Sequence, residues 1–183
     1  MKKWSLVFLL MSLGIMTALA QNLQTDKAVT AITFKVKNLG LNVDGVFSEF
    51  KIVANFEEDK LSESYFAGTA VVKSIDTGIN QRDKHLQKAD YFDSERFPEL
   101  TLTSDKLTKI GEREYEFKGQ LSIKGKIKPL TFPITVERTA KGILVKGKFD
   151  INRLDFGVGA SSWILKKKVR VSIVYQGNFV EHG

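Results

Sequence analysis

The stretch Glu114–Asp150, EYEFKGQLSIKGKIKPLTFPITVERTAKGILVKGKFD, decides the fold class. Tyr115, Phe117, Leu121 and Ile123 occupy odd positions of its first run, and Leu130, Phe132, Ile134 and Val136 occupy even positions of its second. Ile143, Val145 and Phe149 repeat the alternation in a third run. A period of two places one face of each run against apolar neighbours and the other against water, which is the signature of a half-buried strand. Lys124-Gly125-Lys126 and Lys141-Gly142 separate the runs with turn chemistry short enough for hairpins. Gly119 and Gly147 lie inside runs, where glycine marks a sharp bend or a close backbone approach. Pro133 deletes a ladder donor, so a bulge or a locally unpaired position is expected there.

Working outward, the same period recurs. Ile32, Phe34 and Val36 share a face, as do Phe50, Ile52, Ala54 and Phe56. A run over residues 64–74 carries apolar groups on both faces. Leu100 and Leu102 begin another, with Lys109-Ile110-Gly111-Glu112 as its turn, and Val169, Val171, Ile173 and Tyr175 form the last. The count is eight strands in an all-β chain, with antiparallel meander order over the later ones. Eight such strands close into a barrel wide enough for one small ligand, or fold as a two-sheet sandwich; alternation alone permits both.

Residues outside the strands bound the context. Met1-Lys2-Lys3, an apolar run from Trp4 to Thr17 and Ala18-Leu19-Ala20 match an export signal over residues 1–20. The apolar run is shorter than a bilayer-spanning helix requires. Cleavage leaves residues 21–183 as one domain of 163 residues, and the net charge of +7 falls to +5 because Lys2 and Lys3 leave with the signal. A periplasmic location is expected, with secretion as the alternative. Export and the lack of a binding signature argue against nucleic acid as a partner. The chain has no Cys, hence no disulfide framework or thiol chemistry, and 163 residues can bury a core unaided. Two His, one of them at position 182 near the end, offer no metal site, and no phosphate-binding glycine loop is present; neither metal nor cofactor is expected.

Two long connections interrupt the strands, and such segments commonly carry function. Residues 75–98 contain a two-turn helix over about 80–88, placed in the eight-strand count between strands 3 and 4, with Asn80 as N-cap and Asp83 at N3. Residues 152–166 form the second, with Gly157 and Gly159 allowing a tight loop.

At this point the sequence resembles the YceI-like family, lipocalin-like isoprenoid-binding proteins of the bacterial envelope. The resemblance rests on Ile32-Thr-Phe-Lys-Val-Lys-Asn-Leu-Gly, Gly45-Val-Phe-Ser-Glu-Phe, and Ser74-Ile-Asp-Thr-Gly with Arg82-Asp83-x-His85-Leu86. Tyr91-Phe-Asp with Phe97-Pro98, Gly119-Gln-Leu-Ser-Ile-Lys-Gly and Asn152-Arg-Leu-Asp-Phe-Gly-Val-Gly complete it, in family order across residues 28–178. Lys84 and the Lys-rich start of the last strand depart from the pattern. The resemblance implies an eight-stranded antiparallel lipocalin-like barrel with a lengthwise apolar tunnel that binds a polyisoprenoid, or a similar long amphiphile, without converting it.

The resemblance places Phe34, Phe47 and Phe92 on the tunnel wall. By themselves, the twelve Phe beyond residue 20 either fill a solid core or line a slot. A slot would gain roughly 0.8 kcal/mol per buried CH₂, or about 3–4 kcal/mol gross per isoprene unit. Arg82 and His85 share a helical face and either donate to a phosphate or quinone oxygen or serve the fold, with Arg82 paired to Asp76. Asp83, turned partly away, is assigned to satisfying the helix N-terminal amides. Asn152 and Arg153 could present donors at a barrel end, with Phe156 and Trp163 as a lid, or Trp163 as a plug in the core, which is the favoured reading. Lys166-Lys167-Lys168 reads as a solvated strand entrance, with transient contact with a membrane surface as the lesser alternative. A packed envelope domain acting through its outer surface, and a lipid hydrolase using Asp83 and His85, are the competing functions; the hydrolase lacks an identifiable nucleophile.

Overall fold

The computed structural model describes residues 23–179, so the export signal expected over residues 1–20 and His182 lie outside the described residues. Eleven strands build the described chain, in one sheet: β1 (Leu23–Thr25), β2 (Ala31–Asn38), β3 (Leu41–Phe47), β4 (Phe50–Asn55), β5 (Tyr65–Val71) and β6 (Ile75–Asp76) precede the helix α1 (Asn80–Leu86). After it come β7 (Glu99–Lys109), β8 (Glu114–Ile123), β9 (Lys126–Thr139), β10 (Gly142–Asn152) and β11 (Leu165–Phe179). All pairings are antiparallel, and β7 to β11 run as a meander. One continuous sheet excludes the two-sheet sandwich.

The count of eight is corrected to eleven. The additional strands are β1, β3 and β6; β1 and β6 are too short to display a period, while Gly45 interrupts the apolar face of β3 between Val43 and Phe47. Consequently the helix follows the sixth strand rather than the third.

Pairing follows the path β4-β5-β7-β8-β9-β10-β11-β2-β3-β6. The chain runs from β3 into β4 through only Ser48 and Glu49, so strands near the two ends of that path are tied in sequence and the sheet must curl around its own apolar face. Ser74 fixes the kink: its hydroxyl accepts from the Glu49 amide at 3.0 Å, and its carbonyl accepts from the Ser48 amide at 3.2 Å. Across the curl, the Thr25 hydroxyl donates to the carbonyl of Ile52 at 3.1 Å.

Gly119 is a close backbone approach, as its place in the run predicts. A Cβ there would lie 2.0 Å from the Thr103 carbonyl oxygen, and the facing strand β7 bulges between Ser104 and Lys106. Gly147 makes room for a ring instead, since its Cβ would meet the Phe132 edge at 2.9 Å. Pro133 takes the second of its two expected forms. It remains in register with Glu116 of β8, but the β9–β10 ladder stops one residue away, at Ile134–Gly147. The missing N–H therefore costs no inter-strand bond on the β10 side.

The end of the sheet away from α1 is filled. Tyr115, Tyr175, Phe56 and Ile143 are all buried, and the Phe56 ring meets Tyr115 edge-on at 5.2 Å and stacks on Phe66 at 6.1 Å. The Tyr115 and Tyr175 phenols are both pushed up from their ordinary pKa, chiefly by burial. At the other end the sheet is covered only by α1 and the connections around it.

Candidate functional site

The inner faces of the strands do not interlock along the whole axis. They enclose an elongated cavity of about 380 Å³, within the range of small-molecule sites. Ile32, Phe34 and Val36 of β2 lie beside Ile173, Val171 and Val169 of the paired strand β11 along one wall, and Phe117, Phe132 and Phe149 form a ladder of rings with centroids 4.8 and 4.5 Å apart. The cavity is walled from Tyr175 and Phe66 near the filled end to Thr77, Arg82, Asn38 and Leu165 near α1. On β2 alone, Ile32 to Asn38 represents roughly 20 Å of strand. No carboxylate lines it, and its basic wall groups, Arg82, His85 and Arg153, gather on the α1 side.

Each sequence-predicted residue can now be placed. Phe34, Phe47, Phe92, Arg82, His85 and Arg153 all line the cavity. Phe47 joins two other rings of the wall, 5.7 Å from Phe34 and 6.5 Å edge-on to Phe92. Phe34 lies across Gly45 on the neighbouring strand, where any Cβ would stand 2.2 Å from the ring's Cζ. Asn152, Phe156 and Trp163 are not on the cavity wall. Asn152 caps a short 3-10 turn (residues 153–156), its side chain accepting from the Leu154 amide at 3.2 Å and donating to Asp155 at 2.8 Å. Phe156 belongs to the buried core. Trp163 is 82 % exposed, which overturns the plug: the ring points into solvent.

The polar cluster around α1 is corrected in its partners. Ile79, not Asn80, is the N-cap residue, and it offers no side-chain cap. Asp83 is buried and accepts from the Thr77 amide at 3.0 Å and from the Thr77 hydroxyl, so it ties down the preceding loop rather than the helix amides. Asp76 accepts from the Gly78 amide at 2.7 Å and closes a turn. Arg82 does not pair with it; the guanidinium donates to the Thr77 hydroxyl at 2.7 Å and to the Thr77 carbonyl at 2.6 Å. Arg82 and His85 face the cavity while Asp83 does not, as helical spacing predicts.

Arg153 is the most constrained group of the site, only 4 % exposed. Its guanidinium donates to four backbone carbonyls, those of Val158 (2.6 Å), Ala160 (2.8 Å), Leu165 (3.0 Å) and Lys166 (3.2 Å). These bonds pin the second long connection. Burial without a carboxylate lowers its pKa from the usual arginine range. Two further residues were missed by sequence reasoning. Thr77 organises both Arg82 and Asp83, a role that no local pattern announces. Tyr91 packs edge-on against His85 at 4.9 Å and beside Gly159, whose φ of +67° no bulky residue would favour. The Gly159 amide donates to the Asp90 carbonyl at 2.8 Å, so the two long connections meet over one end of the cavity.

The YceI-like domain model matches residues 23–176. The chain belongs to the YceI-like family. It is 34% identical over 136 residues to Protein YceI of Salmonella arizonae, covering 72% of this chain and 71% of that one. It is 35% identical over 121 residues to the UPF0312 protein plu2095 of Photorhabdus laumondii, covering 64% of this chain and 62% of that protein. Among solved structures, Burkholderia cenocepacia BcnA superposes with a TM-score of 0.79 at 26% identity, covering 83% of this chain and 98% of BcnA. A polyisoprenoid binding domain from Saccharophagus degradans, implicated in plant cell wall breakdown, shares the YceI-like fold with a TM-score of 0.70 at 16% identity, covering 88% and 99%.

Proposed function

We propose that this YceI-like protein binds and carries a polyisoprenoid, or a similar long-chain amphiphile, by burying the chain in its cavity without converting it. The observation that carries the reading is the shape and polarity of the hollow: long, walled by rings and branched aliphatics, with basic groups only toward α1 and no carboxylate. Such a wall rewards an apolar tail in proportion to its length, while Arg82, His85 and Arg153 favour an oxygen-bearing head near α1. In this reading the curled sheet acts as a lipocalin-like barrel whose filled aromatic end is the floor. In this reading binding is the whole activity, and the Thr77 hydroxyl on the wall is taken up structurally by Asp83 and Arg82. The Saccharophagus degradans domain of the same fold is a polyisoprenoid binder, which supports the choice of ligand class. Following the N-terminal signal pattern, the protein works in the periplasm.

The test is organic extraction and native mass spectrometry of protein purified without detergent. A co-purifying prenyl lipid, or stoichiometric uptake of added geranylgeraniol, is the expected result. Protein that emerges empty and takes up no prenyl chain would overturn the reading. Cell fractionation tests the location.

A further inference from the structure

The hairpin joining β2 to β3 spends conformational energy on an exposed leucine. Asn38 pairs with Leu41, leaving Leu39 and Gly40 as a two-residue turn with φ of +52° and +80°. Positive φ at both positions is the type I′ geometry, in which Asn or Asp followed by Gly is preferred and a branched side chain is strained. Leu39 nevertheless occupies the first position and is 66 % exposed, with Leu41 beside it 73 % exposed. The Leu39 amide donates to the Ile164 carbonyl at 3.0 Å, which brings the turn against the segment bearing exposed Trp163. None of these three side chains lines the cavity, but the adjoining Asn38 and Leu165 do.

A basic group accompanies this apolar tip. Leu165 pairs with Asn38 and Val169 with Val36, so Lys166, Lys167 and Lys168 bulge out opposite the single residue Lys37. Lys168 pairs with Asp150 at 2.7 Å, whereas Lys37, Lys166 and Lys167 have no ion pair among the described residues. Arg153 holds the bulge through the Leu165 and Lys166 carbonyls.

We infer that the Leu39–Leu41 turn and Trp163 dock the protein on an anionic lipid bilayer, with Lys37, Lys166 and Lys167 facing the headgroups. Apolar tips enter the interface and lysines beside them gain from negative surface charge; tryptophan is the side chain most at home at that depth. Strain retained for an exposed leucine is explained when the leucine is buried in the bound state. Docking at this place sets the α1-side end of the cavity beside the membrane.

Trp163 is the sole tryptophan in the chain beginning at Gln21, which contains every described residue, so its emission reports docking directly. Vesicles of phosphatidylglycerol and phosphatidylcholine should shift that emission to the blue, and brominated acyl chains should quench it; phosphatidylcholine alone should do so weakly. Leu39→Asn restores the residue preferred in a type I′ turn, so it should bind vesicles about tenfold more weakly while its Tm stays level or rises. Lys166→Gln and Lys167→Gln should each cost about fivefold. Unchanged emission on anionic vesicles, or undiminished binding by Leu39→Asn, would overturn the inference. So would a dimer in sedimentation that Leu39→Asn abolishes, which would make a second copy the occupant. Lipid carriage is read separately by native mass spectrometry, so docking and carriage can fail independently.

Discussion

Gly68 offers a test of the hollow in which stability and binding should move in opposite directions. It lies on β5 and lines the cavity between buried Phe66 and Ala70, and an added Cβ would meet only the Ile52 side chain, at an ordinary 3.8 Å. Gly68→Leu therefore projects four carbons into empty space. Their burial is worth about 3 kcal/mol as an upper figure, rotamer restriction takes back about 0.5–1, and replacing glycine in a strand adds up to about 1 by restricting the unfolded chain. The ligand-free variant should be about 2 kcal/mol more stable, which for a domain of this size raises Tm by roughly 5 °C. The same four carbons exclude nearly one isoprene unit, costing about 3 kcal/mol of binding, or more than a hundredfold in Kd. Scanning calorimetry of extracted protein reads the first effect, and titration with geranylgeraniol under native mass spectrometry reads the second. A solid interior behaves otherwise, because overpacking destabilises by about 1–3 kcal/mol. A drop in Tm, or undiminished uptake, would refute the reasoning.

Other perturbations follow from the same geometry. Gly119→Ala should destabilise by about 2–3 kcal/mol in urea unfolding, since its Cβ would stand 2.0 Å from a backbone oxygen that cannot rotate away. Arg153→Met leaves four carbonyls without their donor and should cost about 3 kcal/mol or more, with faster hydrogen exchange over residues 153–166 as the local readout. Asp150 is held down to about 2 by the Arg170 and Lys168 side chains, from an ordinary 3.8. A carboxylate depressed in the folded state contributes stability above its unfolded pKa and loses it as pH falls, so the contribution should fade between pH 3.8 and about 2. Asp150→Asn should flatten the Tm-against-pH curve in that window, weakly and less at high salt, because the pair is solvent-screened.

The meander from β7 to β11 was legible because each strand carries a recognisable alternation and the turns between β7 and β10 contain or adjoin glycine. Gly119, Gly147 and Pro133 were legible for the same reason, as local breaches of a clear period. β3 was hidden because its inner face is Val43, Gly45 and Phe47, and the glycine reads as a turn until Phe34 is seen to lie across it. Helical spacing correctly sent Arg82 and His85 to one side. It could not supply Thr77 as the partner of Arg82, since a backbone carbonyl five residues away leaves no mark in composition. Trp163 shows the limit most clearly: hydrophobicity argues for burial, and only the three-dimensional course of residues 160–165 leaves it in water.

The aromatic floor gives the vessel a blind end. If the cavity carries a chain as proposed, cargo cannot be threaded through such a sleeve; it must back out by the door it entered, so loading and delivery would compete for one threshold. The rate of exchange would then be governed by whatever stands at that threshold, and changes to the packed base would alter how firmly the container holds its shape without altering how quickly it trades its contents.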